Sequence, residues 1–199
     1  MTVAVPLRRA LVPAIVLIVT GLIGWYSSFA LTVDKILILE NPEADLDCNF
    51  SVIVQCGKNL DSWQGAILGF PNPLLGLGGF VAPIAVGVAI LAGAQFARWF
   101  WVALNAGVIA ALAFCIWLMS QSIFNLATLC PWCMVVWAAT ILMFWTLTTF
   151  NARNGVFGPS FVRLGEALYG WVPVLTFASY VIIAIVAQVR LDLLSFLVV

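Results

Sequence analysis

Cys130 and Cys133 are separated by Pro131 and Trp132, and this spacing is the most chemically informative pattern in the chain. Proline is favoured at the first position of a helix, where its missing N–H would have no partner. The pattern therefore predicts a helix that begins beside Cys130, with Cys133 one turn later on the same face. A helix N-terminus carries partial positive charge, which favours a thiolate there. Such a pair can exchange electrons with a disulfide or provide half of a zinc site.

Three further cysteines accompany this pair, and the 199 residues contain no histidine. Cys48 and Cys56 lie in a polar stretch that also holds six of the eight acidic residues. We expect this stretch to be a mobile loop in water. Cys115 lies in an apolar run, where a free cysteine behaves as a small hydrophobic residue. The lack of histidine excludes histidine acid–base catalysis, the usual haem ligands and most metal sites.

Two kinds of chemistry remain for the four other cysteines. Zinc would need a closed tetrahedron of four ligands, which Cys48 and Cys56 could complete, but their separation of eight residues is wider than usual. The alternative is a relay in which thiol–disulfide exchange passes two electrons from a soluble dithiol protein, through Cys48 and Cys56, to Cys130 and Cys133. No haem, flavin or iron–sulfur motif is present, so we expect a membrane quinone as acceptor and no metal.

The composition predicts an all-α membrane protein that holds these cysteines at one edge of the bilayer. The chain is 64% hydrophobic and 8% charged, with a mean hydropathy of +1.15, whereas soluble domains carry about 25% charged residues. The zero net charge gives no reason to expect nucleic acid as a partner. A membrane-crossing helix needs about 20 apolar residues. Five segments satisfy this: 11–33, 73–95, 99–121, 129–150 and 167–189.

We therefore expect a bundle of four transmembrane helices in residues 1–150, with a polar loop over 34–72. Residues 151–199 would form a second loop and a fifth transmembrane helix. Within the first loop, residues 59–68 predict a short amphipathic helix with Leu60, Trp63 and Ile67 on its apolar side.

The arginines and lysines predict the orientation of this bundle in a cell membrane. One side carries Arg8, Arg9, Arg98, Arg153 and Arg163, and the other carries Lys35, Lys58 and Arg190. By the positive-inside rule, the N-terminus and the second loop are cytoplasmic and the redox cysteines are extracytoplasmic. A cleaved signal peptide has an apolar core of only about 7–15 residues. The first apolar run is longer, so we expect it to remain as a transmembrane helix.

These residues resemble the vitamin K epoxide reductase family in its bacterial form, over about residues 10–150, which the resemblance implies are its four-helix catalytic bundle. The resemblance rests on the ordered set Cys48, Cys56, Ser62, Asn72, Cys130 and Cys133. It implies that Cys133 donates electrons to the quinone, menaquinone or ubiquinone, and that Cys130 exchanges with the loop pair. It further implies that the loop pair exchanges with a DsbA-like or thioredoxin-like protein, and that Ser62 and Asn72 line the quinone pocket.

Two features depart from the family pattern. Trp137 stands where the family often has tyrosine, so the pocket loses a phenol but keeps a ring and one N–H donor. Counting along the helix, Trp137 shares a face with both cysteines and lies about 10 Å below Cys130, so we expect it to contact the quinone. Many bacterial relatives also carry a fused thioredoxin-like domain, and here we expect a separate partner protein instead.

Alternative functions fit the same residues less well. The DsbB family performs a similar reaction, but its C-x-x-C pair precedes its loop pair, the reverse of the order here. Reduction of vitamin K epoxide or quinone by external dithiols would use the same four cysteines. A disulfide-stabilised membrane scaffold or small transporter is the non-enzymatic alternative. Transporter sites usually place charged residues in mid-membrane, and these spans are nearly free of them.

Overall fold

The computed structural model describes residues 7–192, with side chains described from Ala10 onward. Most of this part of the chain is helical, as the composition predicts. Its eight α-helices are α1 Leu7–Glu40, α2 Gly57–Asp61, α3 Pro73–Gly79, α4 Val81–Leu91, α5 Arg98–Ser120, α6 Pro131–Arg153, α7 Val162–Tyr169 and α8 Val172–Leu191. Short 3-10 helices form at Trp63–Ala66 and Pro159–Phe161, and a π-helical turn extends α5 over Gln121–Leu126.

Five helical segments among the described residues are long and apolar enough to cross a membrane. They are Ala10–Glu40, Pro73–Leu91, Arg98–Leu126, Pro131–Arg153 and Val172–Leu191. The five predicted spans are therefore confirmed, with shifted boundaries. We call the end of the bundle where α1 ends and α6 begins the cysteine end.

The first helix is longer than the sequence predicts. It continues through Asp34 and Lys35 to Glu40, so the loop begins at residue 41 rather than at 34. These charged residues end the apolar span, but the helix continues, and Ile38 in its last turns packs against the buried cluster that contains Leu46 and Cys48. A helix of 34 residues is about 51 Å long, whereas the hydrocarbon core is about 30 Å thick. The last turns of α1 therefore project out of the membrane.

The second span is divided into α3 and α4 at Phe80. Pro83 has no N–H to donate to the carbonyl of Gly79, four residues earlier, so the regular helical hydrogen bonds are interrupted there. The next bond, from the Ile84 N–H to the Phe80 carbonyl, is correspondingly long at 3.4 Å. Small residues let this span approach α1 closely. A Cβ added at Gly87 would lie only 2.7 Å from the carbonyl oxygen of Ala14.

Polar contacts connect the remaining spans. The side chain of Asn151 in α6 donates to the Asn105 Oδ1 atom in α5 at 3.1 Å. The fifth span, α8, lies against α6. There the Tyr180 hydroxyl donates to the Ala138 carbonyl at 2.8 Å. Only 17% of the most apolar stretch of α8 is buried inside the protein. Most of this helix therefore faces away from the bundle.

Candidate active site

Cys130 lies immediately before α6, as the sequence predicts. Its backbone is extended, with φ −90° and ψ 119°, and Pro131 is the first residue of the helix. The backbone N–H of Cys133 donates to the Cys130 sulfur at 3.3 Å. That sulfur therefore caps the helix and lies in the positive field of its N-terminus.

The loop cysteines are bonded to each other and lie directly against this pair. Cys48 and Cys56 form a disulfide, while Cys130 and Cys133 are free thiols. The Cys130 sulfur lies 3.5 Å from the Cys56 sulfur. Cys56 and Cys130 are 0% exposed and Cys48 is 4% exposed. The expectation that the loop pair is in open water is therefore wrong: both cysteines are packed beneath the loop.

A short parallel pairing between two distant segments produces this contact. The N–H of Leu129 donates to the Ile53 carbonyl at 2.7 Å, and the N–H of Gln55 donates to the Leu129 carbonyl at 3.0 Å. Paired strands lie about 4.8 Å apart. Cys56 and Cys130 directly follow these paired residues, so the pairing brings their sulfurs together.

Side chains fasten the same two segments at further points. Lys58 Nζ donates to the Leu126 carbonyl at 2.6 Å, and Asn59 Nδ2 donates to the Thr128 hydroxyl at 2.9 Å. On the loop itself, Asn49 Oδ1 accepts the backbone N–H of Cys56 at 3.0 Å. No periodic pattern in the sequence predicts this pairing. Its one local signal was the run of β-branched residues at 52–54, which favours an extended backbone.

A cavity of about 800 Å³ opens on the other side of Cys133. It lies between α1, α3, α4, α5 and α6 and is mostly apolar. Ligand pockets for small molecules typically have volumes of about 300–1,000 Å³. The polar and thiol side chains along its wall are Ser28, Asn59, Ser62, Gln64, Asn72, Cys115, Gln121, Ser122, Cys133 and Thr140. Such a space fits an apolar ring compound with a few polar atoms.

Cys133 contributes the thiol of the C-x-x-C pair to this cavity, whereas Cys130 is not among the lining residues. Trp137 lies one turn further along α6, is 5% exposed, and lines the same cavity. Cys115 lines it from α5, and its sulfur is 4.0 Å from the Thr140 hydroxyl. The two faces of the C-x-x-C pair are thus different: one sulfur contacts the loop disulfide and the other borders the cavity.

Ser62 and Asn72 also line the cavity, but their polar atoms bond to the backbone around them. The Ser62 hydroxyl donates to the Asn59 carbonyl at 2.7 Å. Asn72 Nδ2 donates to the Gln64 carbonyl at 2.6 Å, and its Oδ1 accepts the Ile67 N–H at 3.3 Å. Asn72 therefore fixes the shape of the cavity wall between these two residues.

The predicted helix at 59–68 is interrupted. Ser62 is extended, with φ −73° and ψ 155°, and separates α2 from the 3-10 helix. Its hydroxyl donates to the Asn59 carbonyl, and this local hydrogen bond competes with the backbone hydrogen bonds of a regular helix. Leu60 is buried as predicted, but Trp63 is 66% exposed. Interruption at Ser62 means that the predicted apolar stripe is not one continuous face.

Gln64 is a cavity residue that the sequence analysis did not single out. It is 7% exposed, and its Nε2 atom makes only a long 3.5 Å contact to Gln121. Its Oε1 atom has no hydrogen-bond partner among the described residues. A buried amide oxygen without a partner costs about 1–3 kcal/mol, and a ligand in the cavity could satisfy it. No sequence motif marks this residue.

One cluster has the residue types of a metal site. The ligand atoms of Asp34, Cys48 and Cys56 lie within 4.8 Å of one another. Cysteine binds zinc as the thiolate, and both of these sulfurs are bonded in the disulfide. The disulfide and a metal site at these sulfurs therefore exclude each other.

Comparison with known proteins adds to this geometry. A model of the Vitamin K epoxide reductase family matches residues 15–148. This range includes most of each of the four spans that surround the cavity, and it includes all five cysteines. No curated protein matched the chain.

Proposed function

Because the chain belongs to the vitamin K epoxide reductase family, whose members are membrane thiol–disulfide and quinone oxidoreductases, we propose that it oxidises protein dithiols and reduces a membrane quinone. The electron donor is an extracytoplasmic DsbA-like or thioredoxin-like protein, and the reaction supports disulfide formation outside the cytoplasm. The observation that carries this proposal is the position of Cys130, 3.5 Å from the loop disulfide, with its partner Cys133 on the cavity wall.

The relay has three steps, each moving two electrons. The partner dithiol first reduces the Cys48–Cys56 disulfide. Cys56 then attacks Cys130 in the oxidised C-x-x-C pair, and Cys48 closes the loop disulfide again, releasing the Cys130 and Cys133 thiols. These thiols form a disulfide as the quinone takes two electrons and two protons to become the hydroquinone. The arrangement in the structure, with the loop pair oxidised and the C-x-x-C pair free, corresponds to the state before quinone reduction.

The orientation follows from the same proposal. Arg98, Arg153 and Arg163 lie at the end of the bundle opposite the cysteine end, while Arg8 and Arg9 supply the rest of the positive bias. The side chains of Arg8 and Arg9 lie outside the described residues. This bias supports a cytoplasmic N-terminus in the cell membrane, with the loop disulfide on the oxidising side.

The proposal is tested with purified protein, reduced thioredoxin and a short-chain quinone. We expect stoichiometric loss of the thioredoxin thiols and of the quinone absorbance, dependent on the enzyme. Menaquinone and ubiquinone analogues compared in parallel give the natural acceptor. Replacing the quinone by vitamin K epoxide tests the alternative reductase activity. A protein that exchanges thiols but reduces none of these acceptors would contradict the proposal.

Trp137 is expected to hold the quinone ring. Trp137→Phe keeps an aromatic face and should raise the KM for quinone only a few-fold. Trp137→Ala should raise it by roughly tenfold or more, since an aromatic contact is worth about 0.5–1.5 kcal/mol beyond its area, and 1.4 kcal/mol is about tenfold. Steady-state kinetics at varied quinone concentration measures both, with the rate of exchange at Cys48 and Cys56 unchanged. Equal, small effects would mean that Trp137 only packs against protein.

Gln64 is expected to hydrogen-bond to the quinone headgroup, with its amide N–H donating to the quinone or its Oε1 accepting from the hydroquinone. Gln64→Leu should raise the KM for quinone about fivefold, the value of a bond worth about 1 kcal/mol. The thermal midpoint should not fall, because the substitution removes an unpartnered buried atom. Gln95→Leu is the control, since Gln95 is exposed and outside the cavity. A lowered midpoint with unchanged KM would instead indicate a structural role.

A further inference from the structure

A carboxylate contacts the loop disulfide on the side away from Cys130. The Oδ2 atom of Asp34, near the end of α1, lies 3.3 Å from the Cys48 sulfur. On the other side, the Cys130 sulfur lies 3.5 Å from the Cys56 sulfur. Four reactive groups therefore follow one another in the order Cys130, Cys56, Cys48, Asp34. This order places a carboxylate, which can accept a proton, beside Cys48, the loop sulfur on the side away from Cys130.

The surroundings leave this carboxylate free for such a role. Asp34 is half-buried, and none of the described cations lies within ion-pair distance of it. The adjacent Lys35 pairs instead with Asp61 of α2, at 3.6 Å. Asp47 of the loop, which is exposed, acts on Asp34 electrostatically, and its charge has the same sign. Nothing in this part of the chain neutralises Asp34 or holds it in an ion pair.

We propose that Asp34 is a catalytic residue of the exchange step, the base that takes the proton of the Cys48 thiol as its sulfur attacks Cys56. The step starts from the mixed disulfide between Cys56 and Cys130, with Cys48 as a thiol. The bond between the Cys48 and Cys56 sulfurs forms, and the bond between Cys56 and Cys130 breaks. The electron pair of the broken bond goes to the Cys130 sulfur, and the proton goes to Asp34.

The charges on both sides of this step balance. One negative charge is on Asp34 before it and on Cys130 after it. The Cys130 thiolate forms at the N-terminus of α6, where the Cys133 N–H already points to its sulfur at 3.3 Å and where the helix field stabilises a negative charge. Asp34 is partly in contact with solvent and returns its proton there. The step therefore moves negative charge from the loop to the C-x-x-C pair.

This inference rests on the proposed relay but is tested without quinone. Protein with both disulfides formed is mixed with one equivalent of reduced thioredoxin, quenched with acid, and scored by mass for labelled thiols at Cys130 and Cys133. Asp34→Asn should slow the appearance of the Cys130 thiol by about a hundredfold at pH 7, at the lower end of general acid–base effects. The Cys133 thiol is released when the mixed disulfide forms, so it should appear at the parent rate. The Cys56–Cys130 mixed disulfide should accumulate, because Cys48 can no longer resolve it quickly.

The pH profile separates this role from simple packing. A free cysteine has a pKa of about 8.5, so the Asp34→Asn rate should rise about tenfold per pH unit between pH 7 and 8. The parent rate should rise much less. Asp34→Glu should restore part of the rate at pH 7. Asp47→Asn is the matched control, a nearby carboxylate without sulfur contact, and should leave the rate within about twofold.

Several outcomes would overturn the inference. An Asp34→Asn protein that matches the parent rate, or that is slower at every pH by the same factor, would show that Asp34 carries no proton in the step. Accumulation of reduced Cys48 and Cys56, without the mixed disulfide, would mean that the variant is defective in the attack of Cys56 on Cys130, before the step assigned to Asp34. Failure of the parent to reduce quinone, with normal thiol transfer from the loop, would contradict the proposed function while leaving the role of Asp34 intact.

Discussion

Replacing Cys133 with alanine should reduce quinone reduction to the rate without enzyme. Cys133 is the thiol of the C-x-x-C pair on the cavity wall, so its sulfur is the one that a bound quinone can contact. Without it, Cys130 has no partner with which to form a disulfide, and two electrons cannot leave the protein together. The measurement is the loss of quinone absorbance with reduced thioredoxin as donor.

Cys115→Ala is the matched control for this experiment. Cys115 is the other free thiol on the cavity wall, and it is buried in α5. Its replacement should leave the turnover near that of the parent. The Cys133→Ala protein should keep its Cys48–Cys56 disulfide, which mass mapping verifies. Quinone reduction near the parent rate in Cys133→Ala would show that electrons leave through another group, and a loss in Cys115→Ala alone would assign that role to Cys115.

Replacing Cys56 with alanine should abolish oxidation of thioredoxin. Cys56 is the only loop sulfur in contact with Cys130, at 3.5 Å, so the path from the loop to the C-x-x-C pair passes through it. A small dithiol such as dithiothreitol should still support quinone reduction. In the parent, Cys130 is 0% exposed, and truncation of the Cys56 side chain opens a path to it. Rates with the two donors, measured side by side, give the result.

Cys48→Ala provides a second variant of the same test. It leaves the Cys56 sulfur beside Cys130 but removes the sulfur that resolves the mixed disulfide. This protein should accumulate a bond between Cys56 and Cys130 and should also fail with thioredoxin. Equal loss with both donors in both variants, together with a lowered thermal midpoint, would mean that the loop disulfide only stabilises the fold.

Burial of the Cys48–Cys56 disulfide also limits how a partner protein can reach it. Cys48 and Cys56 are nearly inaccessible in the structure, and the loop is fastened to the segment before α6 by the Leu129 pairing and by Lys58. Attack by a partner thiol therefore requires these contacts to open. In the proposed relay, the closed loop would shield Cys130 from small thiols until a protein dithiol displaces it, so we expect a preference for protein donors.

The sequence by itself determined the local features of the site. Pro131 fixes the start of α6, so the position of Cys130 at the N-terminus and of Cys133 one turn later needed no tertiary information. Length and hydropathy likewise determined the five spans, because the bilayer imposes about 20 apolar residues on each.

Only the tertiary structure decided how these parts meet. The contact between Cys56 and Cys130 joins residues 74 positions apart, and it depends on the pairing of Leu129 with the loop, which no periodic pattern predicts. Burial of the loop cysteines follows from the same docking, although their segment is polar in sequence. The contact of Asp34 with Cys48 exists because α1 continues past the apolar span, and a hydropathy profile ends at Val33. These contacts join residues that are far apart in the sequence. They depend on how helices and loops pack in three dimensions, which local residue preferences do not determine.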